Sequence, residues 1–476
     1  MNGETLLREI SEYCRGAGLA ESTFGRLAVN DGKFVGRLRE GGNVTAQTIA
    51  RVRRFITNEI PVSSVGRQTM SMVQSKPAPK GSSAKRVAPT TGPVLSSDPE
   101  QNFRFYDNRQ KYLMFVNTCS EKWVVANRVA QEFPSIHPRP PALRMFDAGV
   151  GDGTVLTRVM RTMHSRFDKM PFYIVGKEIS LEDVRLALEK MPDRFFEHPA
   201  TVLVMTNMNY AEAPWLSPAN LNAAATMVWH EVALRGNTAA EFDEQIADLQ
   251  PFLADAWKAG VSPKTGNPVY EKPAVLVLYR DDCRFILDSV IPRRGAIRAD
   301  YDLVIASQPY RARASTAFKA KRVIAPLARS LAPGGRLLGI HSYGHDPALE
   351  IVQQVWPGEE PFHTSRHELL AATKAELGKA ARHFNFTAGS DAKAIFRYDM
   401  HTLPGEIDAD NASIGTSTLF AAWNDAAYVA QIEDQRLEDA MRDNGYLTAT
   451  REVLRKHGAL WFNDESFNIS RKRELI

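Results

Sequence analysis

In Asp147-Ala148-Gly149-Val150-Gly151-Asp152-Gly153 an acid is followed by three glycines that alternate with other residues, and this spacing is the strongest chemical signal in the chain. Glycine has no Cβ, so the backbone can pass close to a ligand, and a helix that begins just after offers unpaired N–H donors. Such a loop suits a nucleotide-like ligand. The flanks agree with that reading. Ala142 to Phe146 is an apolar run that reads as a buried strand. After Thr154, the residues Val155, Leu156, Val159, Met160 and Met163 recur at helical spacing. The dinucleotide fingerprint G-x-G-x-x-G does not fit, because the third glycine comes one residue early and Thr154 stands where that pattern needs glycine.

The pattern Asp-x-Gly-x-Gly-x-Gly resembles motif I of class I S-adenosylmethionine-dependent methyltransferases. The resemblance implies an α/β, doubly wound, seven-stranded Rossmann-like sheet in which Asp147, Ala148, Gly149, Val150, Gly151 and Gly153 wrap the amino-acid end of S-adenosylmethionine. Pro171 to Gly176 reads as the second strand, and the resemblance makes Glu178 the acceptor of both ribose hydroxyls, with Ile179 beside it. Ser180 and Asp183 resemble a capping box for a helix from Leu181 to Met191. Thr201 to Met205 reads as a third strand, and the resemblance places Asn207 and Met208 against the adenine. Leu331-Ala332-Pro333-Gly334-Gly335 matches a turn that many members carry before the fifth strand. It supports the fold and carries no chemistry. The likeness covers about residues 142 to 345.

Two segments compete for the fourth strand. If Ala225 to His230 fills it, His230 and Glu231 face the methyl group and His230 is a candidate base. Glu241 to Ala259 then reads as one amphipathic helix and Val275 to Tyr279 as the next strand. If Asp302 to Ala306 fills it, residues 225–298 are an insertion, and Ser307-Gln308-Pro309-Tyr310 lies on the substrate side. That tetrapeptide resembles the motif with which nucleobase amino methyltransferases hold the target amine and stack the base, although Gln308 departs from its commonest form. Ser307 and Tyr310 are then the catalytic candidates.

The N-terminal end is basic: residues 1–60 hold nine Lys/Arg against seven Asp/Glu, and residues 61–95 hold five against none. Helical patterns run over Thr5–Ala17, Glu21–Val29, Lys33–Glu40 and Ala46–Asn58. They resemble the helix-turn-helix of phage-repressor-like regulators. That resemblance would make Lys33, Arg37 and Arg39 the DNA-facing residues; a small protein-docking module accounts for the same pattern. Pro61 to Glu100 is rich in Pro, Ser, Gly, Thr and Lys and reads as a disordered linker. Phe103, Phe105, Tyr106 and Tyr112 crowd the start of a helical unit from Asn102 to Phe133. The resemblance lets that unit cover the cofactor, with an aromatic favouring the sulfonium by cation–π contact; core packing is the other reading.

The expected organisation is therefore a helical domain at 1–60, a linker at 61–100, the cofactor-binding domain at 101–345 and a C-terminal α+β cap or substrate-side extension at 346–476. Apolar content of 44% and charge of 24% are ordinary globular values. No apolar run is long enough to span a membrane, and no signal peptide opens the chain. Cys14, Cys119 and Cys283 are too far apart for a disulfide framework or a zinc site. The expectation is a cytoplasmic, metal-independent methyltransferase with an unidentified acceptor. A DNA or RNA amino methyltransferase using Ser307–Tyr310 is one alternative, and a DNA-binding regulator that senses the cofactor is another.

Overall fold

The structure, a computed structural model, describes residues 3–17, 20–29, 31–39, 44, 46–57, 109–261, 268–297, 299–402, 406–407 and 414–473. The expected linker and the aromatics Phe103, Phe105 and Tyr106 lie outside the described residues. The chain divides into two compact units, Met1–Pro93 and Val94–Ile476.

In the first unit four helices form where the apolar spacing calls for them: Gly3–Ala17, Glu21–Val29, Phe34–Arg39 and Ala46–Thr57. They bury Leu6, Ile10, Phe24, Phe34, Val35, Leu38 and Val52 in one cluster. Gly25 lets the second helix approach the following turn, since a Cβ there would lie 2.4 Å from the Asp31 carbonyl oxygen.

The second unit is built on one large sheet. In chain order its strands are β1 (Leu143–Asp147), β2 (Phe172–Lys177), β3 (Thr201–Thr206), β4 (Val228–Leu234), β7 (Ala274–Arg280), β8 (Tyr301–Ser307), β9 (Leu331–Ser342), β10 (Phe384–Thr387), β11 (Ile395–Asp399) and β12 (Trp461–Arg471). A separate hairpin pairs β5 (Ala259–Val261) with β6 (Pro268–Tyr270). The order across the sheet is β10-β12-β9-β8-β1-β2-β3-β7-β4, with β11 also pairing β12. Strands β3, β2, β1, β8 and β9 are parallel, while β7 and β12 run antiparallel to their neighbours β3 and β9. Apolar clusters cover both faces of the sheet.

The architecture is the expected doubly wound α/β sheet, with ten strands in place of seven. Two segments depart from the expected arrangement, and the second carries the three extra strands. The segment between β3 and β8 returns to the β3 edge and adds β7 and β4. The chain beyond residue 345 does not form a separate extension: β12 pairs along β9 from Arg336 to Ser342 and carries β10 and β11 on its other side. The rest of that region is helical, and its helices Pro347–Val355, Thr416–Val429 and Gly445–His457 share a third apolar cluster with Phe115 of the helix Arg109–Thr118.

Strand β8 pairs directly with β1, which settles the fourth strand as Tyr301–Ser307. The Pro-Gly-Gly turn makes an outward bulge at the start of β9, where Leu331 pairs Tyr301 and Arg336 pairs Leu303. Gly335 is required there, because a Cβ would lie 2.3 Å from the Tyr301 carbonyl oxygen. The amphipathic stretch expected as one helix from Glu241 is two, Ala239–Ala247 and Gln250–Ala256. Pro251 lies in the first turn of the second, where its missing N–H costs nothing.

Candidate functional site

From β1 the chain winds through β2 to β3 on one side and then crosses to β8 and β9 on the other. Where the winding reverses, the carboxyl ends of two neighbouring strands separate and leave a crevice, the usual ligand position of open α/β sheets. The glycine loop leaves β1 at this point, and Ser307-Gln308-Pro309-Tyr310 leaves β8 beside it.

Each glycine of the loop has its own reason. Gly151 and Gly153 adopt left-handed backbone, with φ of 55° and 80°. Gly153 also lies where a Cβ would come within 2.7 Å of the Ala187 Cα, so it lets the helix Thr154–Arg166 pack on the helix Leu181–Glu189. Gly149 needs neither. It is exposed, and the nearest atom to a Cβ there would be the Ser307 carbonyl oxygen at 3.9 Å. Of the three glycines, only Gly149 leaves open space toward the facing loop.

The loop is held by backbone and acids. Ala148 N–H donates to the Ile305 carbonyl at 2.9 Å and Val150 N–H to the Lys177 carbonyl at 3.1 Å, pinning the loop to both neighbouring strands. Asp147 Oδ1 accepts from Gly149 N–H at 3.1 Å. Burial pushes the Asp147 carboxyl up to about 6 despite that bond. Asp152 accepts from Thr154 N–H and from Lys190 Nζ at 2.7 Å, closing the start of the helix.

Glu178 is at the end of β2 as expected, but its carboxylate is already engaged. Oε2 accepts from Gly151 N–H at 2.7 Å, and Oε1 accepts from Ile179 and Ser180 N–H at 2.7 and 2.8 Å. Of the roughly four acceptor sites on a carboxylate, one remains. Burial first, then the nearby Asp183 carboxylate, raise its pKa. Ser180 caps the helix that starts at Leu181, accepting from Asp183 N–H.

Asn207, expected against the adenine, is bonded on three sides within the protein. Its amide nitrogen donates to the Ala256 and Lys272 carbonyls at 3.1 and 3.2 Å, and its oxygen accepts from Ala274 N–H at 2.9 Å. It fastens the inserted segment to the end of β3, which no single-sequence signal indicates. Met208 is buried in the core on one sheet face. The same insertion roofs the turn after β2: Trp257 Nε1 donates to the Glu178 carbonyl at 2.8 Å and Tyr270 hydroxyl to that of Ile179.

His230 is not near the loop. It lies on the edge strand β4, four strands from β1 and so roughly 19 Å away at about 4.8 Å per strand. Its ring packs on Phe252 with centroids 4.5 Å apart. Glu231 accepts from the Tyr279 hydroxyl at 2.7 Å. Neither can face a ligand at the glycine loop.

Aromatics close the crevice. The Tyr112 hydroxyl lies 3.0 Å from where a Gly151 Cβ would be, so its helix covers the loop. Tyr210 follows β3 and reaches across to donate to the Pro309 carbonyl at 2.6 Å, joining the two rims. Under it lies Lys177, whose Nζ is 4.6 Å from the ring centroid. Burial brings this amine down to about 8. On the β8 side, Gln308 takes a positive φ of 47°, and its amide donates to Ser342 Oγ and Asp464 Oδ1, both at 3.2 Å. The Tyr310 hydroxyl meets His341 Nδ1 at 2.9 Å.

In the N-terminal unit Lys33, Arg37 and Arg39 are exposed. Arg37 pairs with Asp31, and Arg39 forms a two-pronged bond with Glu21 at 2.8 Å. Among the described residues, no group of three or more His, Cys, Asp or Glu could hold a metal ion, and no helix is long and apolar enough to cross a membrane.

Sequence comparison finds no family profile and no curated protein that matches the chain. Solved structures are similar over large parts of it. One, from Galdieria sulphuraria, is described as a sarcosine dimethylglycine methyltransferase (9% identity, 75% of this chain and 86% of that one, TM-score 0.30). Another is a geranyl diphosphate methyltransferase in complex with GPP and sinefungin (12% identity, 73% and 76%, TM-score 0.27). A third is PKMT2 from Rickettsia typhi (8% identity, 73% and 53%, TM-score 0.24). At these scores the likenesses carry no argument about activity, which rests on the site itself.

Proposed function

We propose that the chain is an S-adenosylmethionine-dependent methyltransferase. The observation that carries the reading is the open face of Gly149, set between the buried carboxyl of Asp147 and the β8 loop at the point where the sheet reverses its winding. The donor is a cation at both its sulfonium and its ammonium, and the residues present fit one: Asp147 and Glu178 bring acidic oxygens, and Tyr112 and Tyr210 bring aromatic rings. Asp147 and the Gly149 backbone would hold the amino-acid end. The remaining acceptor site on Glu178 Oε2 would take one hydroxyl, not two. Asn207 has both amide protons engaged and one acceptor site left on Oδ1, so it would offer the adenine amine at most one bond, with the backbone and apolar contact supplying the rest. When bound, the donor supplies an electrophilic methyl group. The protein's part is to align the acceptor with it and to exclude water, which Tyr112, Tyr210 and the roof of Trp257 and Tyr270 serve.

The Ser307–Tyr310 segment follows the fourth strand, as the nucleobase reading requires. Gln308 and the Tyr310 hydroxyl are both bonded to protein, so on that reading the amine would fall to Ser307 and the main chain, with the Tyr310 ring left to stack. Titration calorimetry with S-adenosylhomocysteine tests the donor site. Transfer of labelled methyl into fractionated cell extract tests turnover and shows which class of molecule becomes labelled. Cofactor binding without transfer would instead favour a sensor.

A further inference from the structure

The β8 side of the crevice carries a connected row of side chains that the donor site does not use. Tyr310 Oη is 2.9 Å from His341 Nδ1, and His341 Nε2 is 2.8 Å from Glu465 Oε1. Glu465 also accepts from Arg366, at 2.6 Å from the backbone N–H and 2.7 Å from Nη1. His341 and Glu465 face each other across the β9–β12 pair. A carboxylate can only accept, so the histidine proton sits on Nε2, and Nδ1 is left to accept from the tyrosine hydroxyl.

Burial would raise the Glu465 pKa, but the bonds from His341 and Arg366 outweigh it and hold the carboxyl below its ordinary range. Burial lowers His341, which is therefore neutral at pH 7. The other groups facing this row are the Lys319 amine, the Tyr210 phenol, the carboxylates of Asp391 and Glu368, and the Phe467 ring. Lys319 Nζ lies 5.2 Å from the Tyr310 ring centroid and donates to the Ala312 carbonyl. Phe467 meets His341 edge-on, and Asp391 pairs with the far side of Arg366. His341, Arg366 and Glu465 are 4%, 3% and 1% exposed, whereas Tyr310 keeps part of its surface open. Tyr310 lies three residues beyond Ser307, whose carbonyl faces Gly149.

We propose that Tyr310, His341 and Glu465 form a proton relay for a methyl acceptor that must shed a proton, a hydroxyl or a protonated amine. The inference rests on the methyltransferase reading. The acceptor proton passes to Tyr310 Oη as the tyrosine's own proton passes to His341 Nδ1. The lone pair freed on the acceptor then bonds the methyl carbon, and the electron pair of the breaking carbon–sulfur bond stays on sulfur. The positive charge lost from sulfur is matched by the proton left on the imidazolium, which Glu465 stabilises. Tyr310 is the catalytic residue; His341 and Glu465 act through it.

The test compares the full chain with its Tyr310→Phe and His341→Gln variants. Nitrogen NMR of labelled histidine should place the His341 proton on Nε2, and Tyr310→Phe should shift the Nδ1 resonance. Affinity for S-adenosylhomocysteine should stay within about twofold in both variants. Transfer of labelled methyl into the responsive extract fraction should fall about 100-fold or more in Tyr310→Phe, the usual scale for a lost proton-transfer group. In His341→Gln the rate should fall and its pH profile should move to the alkaline side, because the phenol must then ionise unaided. Unchanged transfer in Tyr310→Phe, an unmoved profile in His341→Gln, or a proton on Nδ1 would each overturn the relay while leaving the donor site intact. A wild-type chain that neither binds S-adenosylhomocysteine nor transfers label would remove the donor reading, and this assignment with it.

Discussion

The two rims of the crevice are made in different ways. The β1 rim is backbone: seven consecutive residues, Asp147 to Gly153, fold on themselves and are pinned by amides to β2 and β8. The β8 rim is side chain: Tyr310, His341, Arg366 and Glu465 come from distant segments and meet only because β9, β12 and the helix Arg366–Leu377 pack together. A backbone rim is robust to most substitutions and fragile at its glycines. A side-chain rim depends on buried charges staying paired, so removing one member strands the others in a poorly solvating interior.

The largest effect should fall on the side-chain rim. Glu465→Ala leaves buried His341 without a carboxylate and Arg366 with only the exposed Asp391, and it should cost about 3–5 kcal/mol of stability. Denaturant unfolding measures this; a loss under about 1 kcal/mol would mean that the two rims do not differ in kind. On the backbone rim, Gly149→Val fills open space without touching the fold. S-adenosylhomocysteine affinity should drop about 100-fold, or roughly 2.7 kcal/mol, with the melting temperature unchanged. Gly153→Val is the contrast: it should lower stability, because its Cβ collides with Ala187.

Asp147→Asn sharpens the comparison through pH. The folded-state pKa of Asp147 is pushed up by burial to about 6, above the ordinary value of 3.8. Between those values the folded chain holds a proton that the unfolded chain has lost, so this group's contribution to stability falls as pH rises from about 4 to 6. The Asn variant should therefore be more stable than the parent at pH 7, by about 1–3 kcal/mol. The gain should shrink toward pH 4, and donor affinity should fall at least about tenfold. Equal stability at pH 7 would show that the carboxyl pays no burial cost.

The smallest effect belongs to the N-terminal unit. Arg37 and Arg39 are exposed and paired, and such pairs contribute about 0–1 kcal/mol each. Arg37→Ala with Arg39→Ala should barely change melting. If residues 1–95 bind duplex DNA, the double substitution should weaken that binding and reduce its salt dependence by about one to two counterions. Absence of binding at low salt would assign the unit to protein docking.

The uneven legibility of the two rims follows from the same physics. The glycine loop was readable because its geometry is set within seven residues. The first three strands and the cap at Ser180 are local for the same reason. Glu178 was placed at the correct strand end, but its bonds to Gly151, Ile179 and Ser180 depend on how two loops meet. The bonds of Asn207 were not legible because its partners, Ala256, Lys272 and Ala274, belong to an insertion whose path no local pattern reveals. His230 reaches the site only in the strand order that the structure does not adopt. His341 and Glu465 gave no signal, since each looks like any polar residue in an apolar strand until β12 is laid beside β9.

That pairing also has a meaning in time. Strand β12 begins at Trp461, so a chain emerging from the ribosome shows its glycine loop long before Glu465 exists. Until then β9 presents an open edge, and His341 has no carboxylate to fix its tautomer. Under the proposed reading, the glycine loop and strands β2, β3, β8 and β9 are all synthesised before the carboxylate that completes the His341 row.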